Sequence, residues 1–356
     1  MKILITGACG FVGASLAEGL RSAREGLALI GIDNLSRKGS ESNGARLKKI
    51  GVEFVRGDIR NAEDLARLPA VDWVLDCAAN PSVLAGFNQD SNPAEVVDHN
   101  LIGTLRVLEY CRAKQAGLIL LSTSRVYSAG HLGRLPLKIS GNRFELEAEK
   151  CSFPGVGPRG ISENFSTETP LSLYGATKLA SEIMALEYGN AFSFPVWIDR
   201  SSVMAGAGQF GKADQGILSY WIYRYILGKP LTFIGYGGKG FQVRDFMHPS
   251  ELLPLILKQM DEPLKSLKPR IVNLGGGLES SLSLAELTAW CDRRVAGKKK
   301  IAVQPKNRLF DVPYYVSDTT LAEKIWGWRA EKSLEKILDE TWEWASQNKA
   351  LIESFA

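Results

Sequence analysis

The stretch KILITGACGFVGASLAEGL, residues 2–20, decides the fold. Its first five residues include a continuous apolar run, as a strand buried on both faces of a parallel sheet requires. From residue 11 onward the apolar positions change to helical spacing. Between the two, TGACGFVG sets Gly7, Gly10 and Gly13 at three-residue intervals. Gly7 permits a tight turn, Gly10 lets backbone amides approach a pyrophosphate, and Gly13 lets the helix pack closely on the strand. The helix N-terminus then offers its dipole and unpaired N–H groups to phosphate oxygens. Asp33 ends the next apolar run, where a carboxylate accepts hydrogen bonds from adenosine ribose hydroxyls and repels a 2′-phosphate. That favours NAD over NADP, although Arg37 stands near enough to accommodate the extra phosphate. Asp58, in RGDI, reads either as an acceptor for the adenine amino group or as a helix-capping aspartate.

Outward from this unit, LALIGI (27–32), VEFVRG (52–57), DWVLDCA (72–78), GLILLS (117–122) and PVWID (195–199) repeat the strand pattern. Helical stretches such as VVDHNLIGTLRVLEYCRA (96–113) separate them. The alternation predicts an α/β fold: a Rossmann-type doubly wound parallel sheet with right-handed crossovers. Between Tyr127 and Tyr174 the rhythm stops, and a segment of that length is expected to be a lid, a binding loop or disordered. Aromatic-rich helices follow Arg200, including GILSYWIYRYIL (216–227), and predict a smaller C-terminal substrate-binding region on the sheet's C-terminal edge. The expected division assigns 1–199 with about 242–273 to the dinucleotide, and about 200–241 with 274–356 to the substrate.

Composition narrows the function. The 356 residues are 45% apolar and 23% charged with a net charge of +4, which is ordinary for a globular protein. No segment interleaves basic and aromatic residues, so no nucleic-acid partner is expected. The KKK at 298–300 reads as a solvated turn. Five scattered cysteines without CxxC spacing predict free thiols in a reducing compartment. Three histidines (His99, His131, His248) without ligand spacing predict no metal. Met1 leads directly into the first strand and no apolar run reaches membrane-spanning length, so the expectation is a cytoplasmic protein with no membrane segment.

Chemistry enters with STSRVYS (122–128) and SLYGATKLASE (172–182). Thr123 leaves the fifth strand where a dinucleotide would lie, and Tyr174 and Lys178 are one helical turn apart. A phenol titrating near ~10 is a poor base at neutral pH unless a nearby cation favours phenolate. Lys178 is the expected cation. The motifs TGACGFVG, GDI, AAN (78–80), NLIGTLRVLE (100–109), STSRVY, YGATK, VRDFMH (243–248) and NLGGG (273–277) resemble the extended short-chain dehydrogenase/reductase family, specifically its NAD-dependent nucleotide-sugar epimerases and dehydratases. The resemblance implies that Thr123, Tyr174 and Lys178 are catalytic. It also implies that Phe11, Val12, Asn34, Ser36, Ile59, Ala78, Ala79, Asn100 and Ser122 complete the dinucleotide site. The helices at 96–113 and 173–189 are those of the family's dimer bundle, which implies a homodimer or homotetramer.

The family's dehydratases carry an acidic pair after the threonine; Ser124 and Arg125 stand there in this chain, which favours epimerisation. RSSVMAGAGQFGKADQG (200–216), DNLSRKGS (33–40), QVRDFMH (242–248) and LGGGLESSLSLAEL (274–287) resemble family members that invert C2 of a CDP-linked deoxyhexose. A UDP-sugar 4-epimerase shares every catalytic residue and is the alternative, with a non-catalytic dinucleotide sensor as a third reading. For the nucleotide-sugar substrate, the expected contacts are Asn80, Thr123, Ser202, Gln209, Phe210, Gln215 and Arg244. Arg308 and Asp311 read either as nucleotide contacts or as a surface ion pair. His248 is expected in the core. Asn80-Pro81, Met204-Ala205 and Asp199 depart from the pattern of the C2 epimerases, at positions expected around the sugar.

Overall fold

The computed structural model describes residues 1–87, 92–263 and 266–355. Seven strands form one parallel sheet: β1 Lys2–Thr6, β2 Ala28–Asp33, β3 Glu53–Arg56, β4 Trp73–Asp76, β5 Gly117–Thr123, β6 Val196–Ser201 and β7 Ile271–Leu274. Their spatial order is β7-β6-β5-β4-β1-β2-β3, so the chain reverses direction across the sheet between β1 and β4. Both faces are covered. Helix α1 (Phe11–Ala23) contributes to one apolar layer, and α2 (Gly103–Lys114) with α3 (Leu173–Phe192) covers the other. Two-sided burial is why these strands are uniformly apolar rather than alternating. Strand β7 escaped the sequence reading, because four residues beside a glycine run carry too little periodicity.

Register fixes the site. Ser201 of β6 pairs with Thr123 of β5, so both strands end at the same edge as the glycine turn after β1. That edge, at the reversal point, is where ligands bind in open α/β sheets.

The segment from Tyr127 to Tyr174 is a folded insertion. It contains the antiparallel hairpin Leu137–Ser140 with Arg143–Leu146, and a second short pair, Val156–Gly157 with Gly160–Ile161. Val126, Tyr127, Leu132, Ile161 and Phe165 pack with Val312, Tyr314, Tyr315 and Val316 in a separate apolar cluster. Backbone bonds from Ile161 N–H to the Val316 carbonyl (2.8 Å) and from Phe144 N–H to the Phe241 carbonyl (2.9 Å) fasten it. Its partners lie 97 residues or more away in sequence, so local patterning could not reveal them. Helix α4 (Ile217–Ile226) buries Leu218, Trp221, Ile222 and Tyr225 in a further cluster with Leu287, Trp290, Ile337 and Leu338. Among the described residues, no helix is long and apolar enough to cross a membrane.

Candidate active site

One cleft of about 720 Å³ runs from the glycine turn, past Thr123, Tyr174 and Lys178, to Arg244, Arg308 and Asp311. At its first end the backbone makes the cradle. Gly7 has φ +61°, and a Cβ on it would stand 2.9 Å from the Ala78 Cα. A Cβ on Gly13 would stand 2.3 Å from the Gly7 carbonyl oxygen. Gly10 caps α1 with no side-chain hydrogen bond, which leaves the first-turn N–H groups to a ligand. Asp33 accepts from Cys9 N–H (2.9 Å) and Leu35 N–H (2.8 Å), which holds its carboxylate on the cleft wall. Burial raises its pKa, and those backbone donors act against the rise. These residues fit a dinucleotide.

Phe11, Val12, Asn34, Ser36, Ile59, Ala78, Ala79 and Ser122 line the same end. Asp58 resolves one of the open readings: Asn61, not Asp58, caps the following helix. Asp58 instead accepts from Arg60 Nε (2.9 Å), Arg60 Nη2 (2.7 Å) and Asn34 Nδ2 (3.0 Å). The Arg60 guanidinium holds its carboxyl well below the usual range. Arg37 donates to the Phe210 carbonyl and also lines the cleft.

Asn100 does not reach the cleft wall. It is buried within a π-helical turn, Asp98–Ile102, that leads into α2. Its side chain accepts from Asn80 N–H (2.8 Å) and donates to the Asn80 carbonyl (3.1 Å) and Thr177 Oγ1 (3.3 Å). Asn100 therefore pins the loop after β4 to the helix that carries Tyr174.

At the centre, Thr123 and Tyr174 are buried side by side on the wall. Burial raises the phenol's pKa; a hydrogen bond with Thr123 and the charge of Arg125 act to lower it. Lys178 is 2% exposed, and burial lowers its pKa while Asp76 and Glu182 favour its charged form. Arg125 is thus a second cation at Tyr174, beside the Lys178 to which the sequence pointed. Thr123 Oγ1 accepts from Arg125 N–H (3.2 Å), and Gly175 lets the Arg125 carbonyl approach α3, since a Cβ there would stand 2.1 Å away. Ser122 Oγ donates to Glu182, which also receives Arg200 in a bidentate buried pair (3.0 and 2.6 Å).

At the far end, Arg244 donates to the carbonyls of Val243 (2.7 Å) and Val312 (2.6 Å) and meets Asp311 at 3.4 Å. Arg308 donates to the Ala213 carbonyl (3.0 Å). Both arginines and Asp311 line the cleft, and the partner of Asp311 is Arg244 rather than Arg308. Ser202 Oγ and Gln215 Oε1 are buried without a partner among the described residues and also line the cleft, which leaves them available to a ligand.

Of the expected substrate contacts, Asn80 is not on the cleft wall, while Gln209 and Phe210 line it and also hold internal partners. Asn80 Oδ1 accepts from Ser82 N–H in a turn, and Pro81 lines the cleft in its place. Gln209 spends both amide ends on the Met204 carbonyl (2.8 Å) and Ser219 Oγ (2.8 Å). Phe210 packs edge-on against Phe355 and presses on Gly39, bridging toward the loop after β2. Asp199 and Ala205 are fully buried away from the cleft, and of those departures Met204 and Pro81 line it. His248 packs edge-on against Phe11 and caps the turn that begins at Pro249, so it serves the core as expected.

The sequence reading missed Tyr220 and Arg224, which line the far arm of the cleft. Their four-residue spacing on α4 was a usable signal, but the aromatic stripe around them read as core.

Residues 3–275 match the NAD dependent epimerase/dehydratase family model. The chain is 33% identical over 295 residues to CDP-paratose 2-epimerase of Salmonella typhi, a match covering 81% of this chain and 82% of that protein. It is 29% identical over 365 residues to UDP-glucuronate 4-epimerase of Thermodesulfobacterium geofontis, covering 99% and 98%. In three dimensions it superposes on UDP-glucuronic acid 4-epimerase of Bacillus cereus in complex with NAD, with a TM-score of 0.72, 26% identity and coverage of 98% and 99%. With the glycine cradle, Asp33 and the Thr123–Tyr174–Lys178 cluster in one cleft, these likenesses establish that the chain belongs to the NAD dependent epimerase/dehydratase family and uses NAD.

Proposed function

We propose that this NAD-dependent nucleotide-sugar epimerase inverts C2 of a CDP-linked deoxyhexose. The observation that carries the reading is the continuity of the cleft: the dinucleotide cradle, the Thr123–Tyr174 pair and the Arg244–Arg308–Asp311 group share one wall. The 33% identity to CDP-paratose 2-epimerase supports the choice of carbon and base. Ser124 and Arg125 supply no carboxylate to protonate a leaving hydroxyl, which argues against dehydration.

When bound, NAD supplies the hydride acceptor and donor. Tyr174 as phenolate takes the proton from the sugar hydroxyl, and Thr123 donates a hydrogen bond to the same oxygen, steadying charge that develops there. Lys178 holds the nicotinamide ribose. The sugar ketone turns within the cleft, and Tyr174 returns the proton to the oxygen, so the phenol ends as it began. Arg244 and Arg308 hold the diphosphate with charge-assisted bonds, and Asp311 accepts from the nucleotide ribose. In this reading residues 1–199 and 242–273 serve the dinucleotide, and 200–241 with 274–356 serve the nucleotide sugar. A homodimer or homotetramer is proposed through the outer faces of α2 and α3, where Ile183 is 56% exposed.

The test is turnover by purified protein of CDP-, UDP-, GDP- and dTDP-sugars. Interconversion of C2 epimers of a CDP-deoxyhexose is the expected result. The near-complete alignment with UDP-glucuronate 4-epimerase favours a second reading, a UDP-sugar 4-epimerase. Turnover of a UDP-sugar with no CDP-sugar converted would establish that reading instead.

A further inference from the structure

Arg125 stands at the reacting end of the cleft, yet the mechanism above gives it no contact with substrate. Its backbone is fixed on both sides, by the Thr123 hydroxyl at 3.2 Å and by close approach to Gly175. Its guanidinium is less committed. Among the described residues it donates to the Phe310 carbonyl at 3.4 Å and makes no ion pair. Arg244, by contrast, makes two shorter bonds and meets Asp311.

The two arginines lie close together. Both also line a small cavity of about 30 Å³ that shares Ser124 and Val203 with the main cleft. Burial and the nearby charge of Arg125 bring Arg244 down to about 10. Asp311 and Asp245 both act on Arg244, whereas Arg125 has no carboxylate within ion-pair distance among the described residues, which leaves its donors open to an added anion.

We propose that Arg125, together with Arg244, binds the sugar-proximal phosphate of the nucleotide sugar and so brings C2 of the sugar to Tyr174. This deepens the C2 reading and rests on it. The phosphate is joined through one oxygen to C1, and C2 is the next carbon. C4 lies across the ring, as far from the phosphate as the ring allows. A cation that serves both the phosphate and the phenol is brought closest to both where the reacting carbon adjoins the anomeric carbon. Chemistry at C2 also sets two anions, phosphate and phenolate, close together, and a guanidinium between them offsets their repulsion.

The experiment titrates NAD-loaded protein with CDP and with CMP by calorimetry, in wild type, Arg125→Gln and Arg125→Lys. Arg125→Gln is expected to weaken CDP about 10- to 100-fold and CMP less than about threefold, because only CDP carries the second phosphate. Arg125→Lys keeps the charge and is expected to hold CDP within about tenfold of wild type. Equal weakening of CDP and CMP, or no weakening of either, would overturn the assignment. The same titrations with UDP and UMP separate this inference from the choice of base. Selective loss of UDP in a protein that ignores cytidine nucleotides would retain the phosphate role while removing the CDP reading.

Discussion

The two ends of the cleft are built by different means. The dinucleotide end is made by backbone: three glycines in one turn, a helix N-terminus, and a carboxylate on the neighbouring strand, all within residues 7–33. The sugar end is made by side chains from segments spread between Thr123 and Asp311. Many of those side chains already hold internal partners, as Gln209 and Arg244 do. A backbone cradle tolerates almost no substitution and is written in a short motif. A side-chain pocket can be retuned one residue at a time, which is how one fold serves several sugars.

The largest effect expected from disturbing the centre alone follows Tyr174→Phe. Loss of the proton-transferring oxygen should lower kcat about 10³-fold. NAD content, measured by absorbance after denaturation, should remain that of wild type, because the cradle is untouched. Glu182→Gln should act on stability instead. It removes the carboxylate from a pair whose side chains are 6% and 2% exposed, leaving the Arg200 charge unpaired in the core. The expected cost is about 3–5 kcal/mol in urea unfolding. Gly13→Ala attacks the first end only. Its Cβ would meet the Gly7 carbonyl at 2.3 Å, so it should cost about 1–3 kcal/mol and lower the NAD content of purified protein.

A pH-dependent effect concerns Asp199, which occupies a position expected to touch sugar. It is fully buried, accepts from Gln259 Nε2 (2.8 Å), and burial raises its pKa to about 7. The folded protein therefore binds this proton more tightly than the unfolded chain, whose carboxyl titrates near ~4. Its contribution to stability is present at low pH and declines as pH rises from about 4 to 7, by at most ~1.4 kcal/mol per pH unit. Asp199→Asn should remove that decline. The gain of the variant over wild type should grow through this window and level off above it, read from urea midpoints. A pH-independent difference would show that Asp199 carries no such proton. His248, held down to about 4 by burial, works in the opposite direction in wild type and variant alike, and cancels from the comparison.

The same contrast explains what the sequence revealed. The glycine turn, Asp33, and six of the seven sheet strands depend on local pattern, and local pattern located them. Thr123, Tyr174 and Lys178 were legible because a strand end and a helix face place them. Arg125 was visible as an oddity of STSR, but its bearing on Tyr174 and Arg244 needs the approach of three separate segments. Gln209, Phe210 and Asn80 were read as sugar contacts by resemblance; Gln209 and Phe210 line the cleft while also holding Ser219 and Phe355, whereas Asn80 turns to Ser82. The insertion after Tyr127 is ordered by residues 312–316, beyond the reach of any short window.

The most direct test of the central claim, that Tyr174 and Thr123 bracket a carbinol oxidised and reduced at the same carbon, uses a CDP-deoxyhexose carrying deuterium on C2. NAD-loaded protein should convert it to the C2 epimer with the deuterium still on that carbon and none exchanged with water, as read by NMR of the product. Loss of the label to solvent, or inversion at C4 with C2 unchanged, would contradict the account.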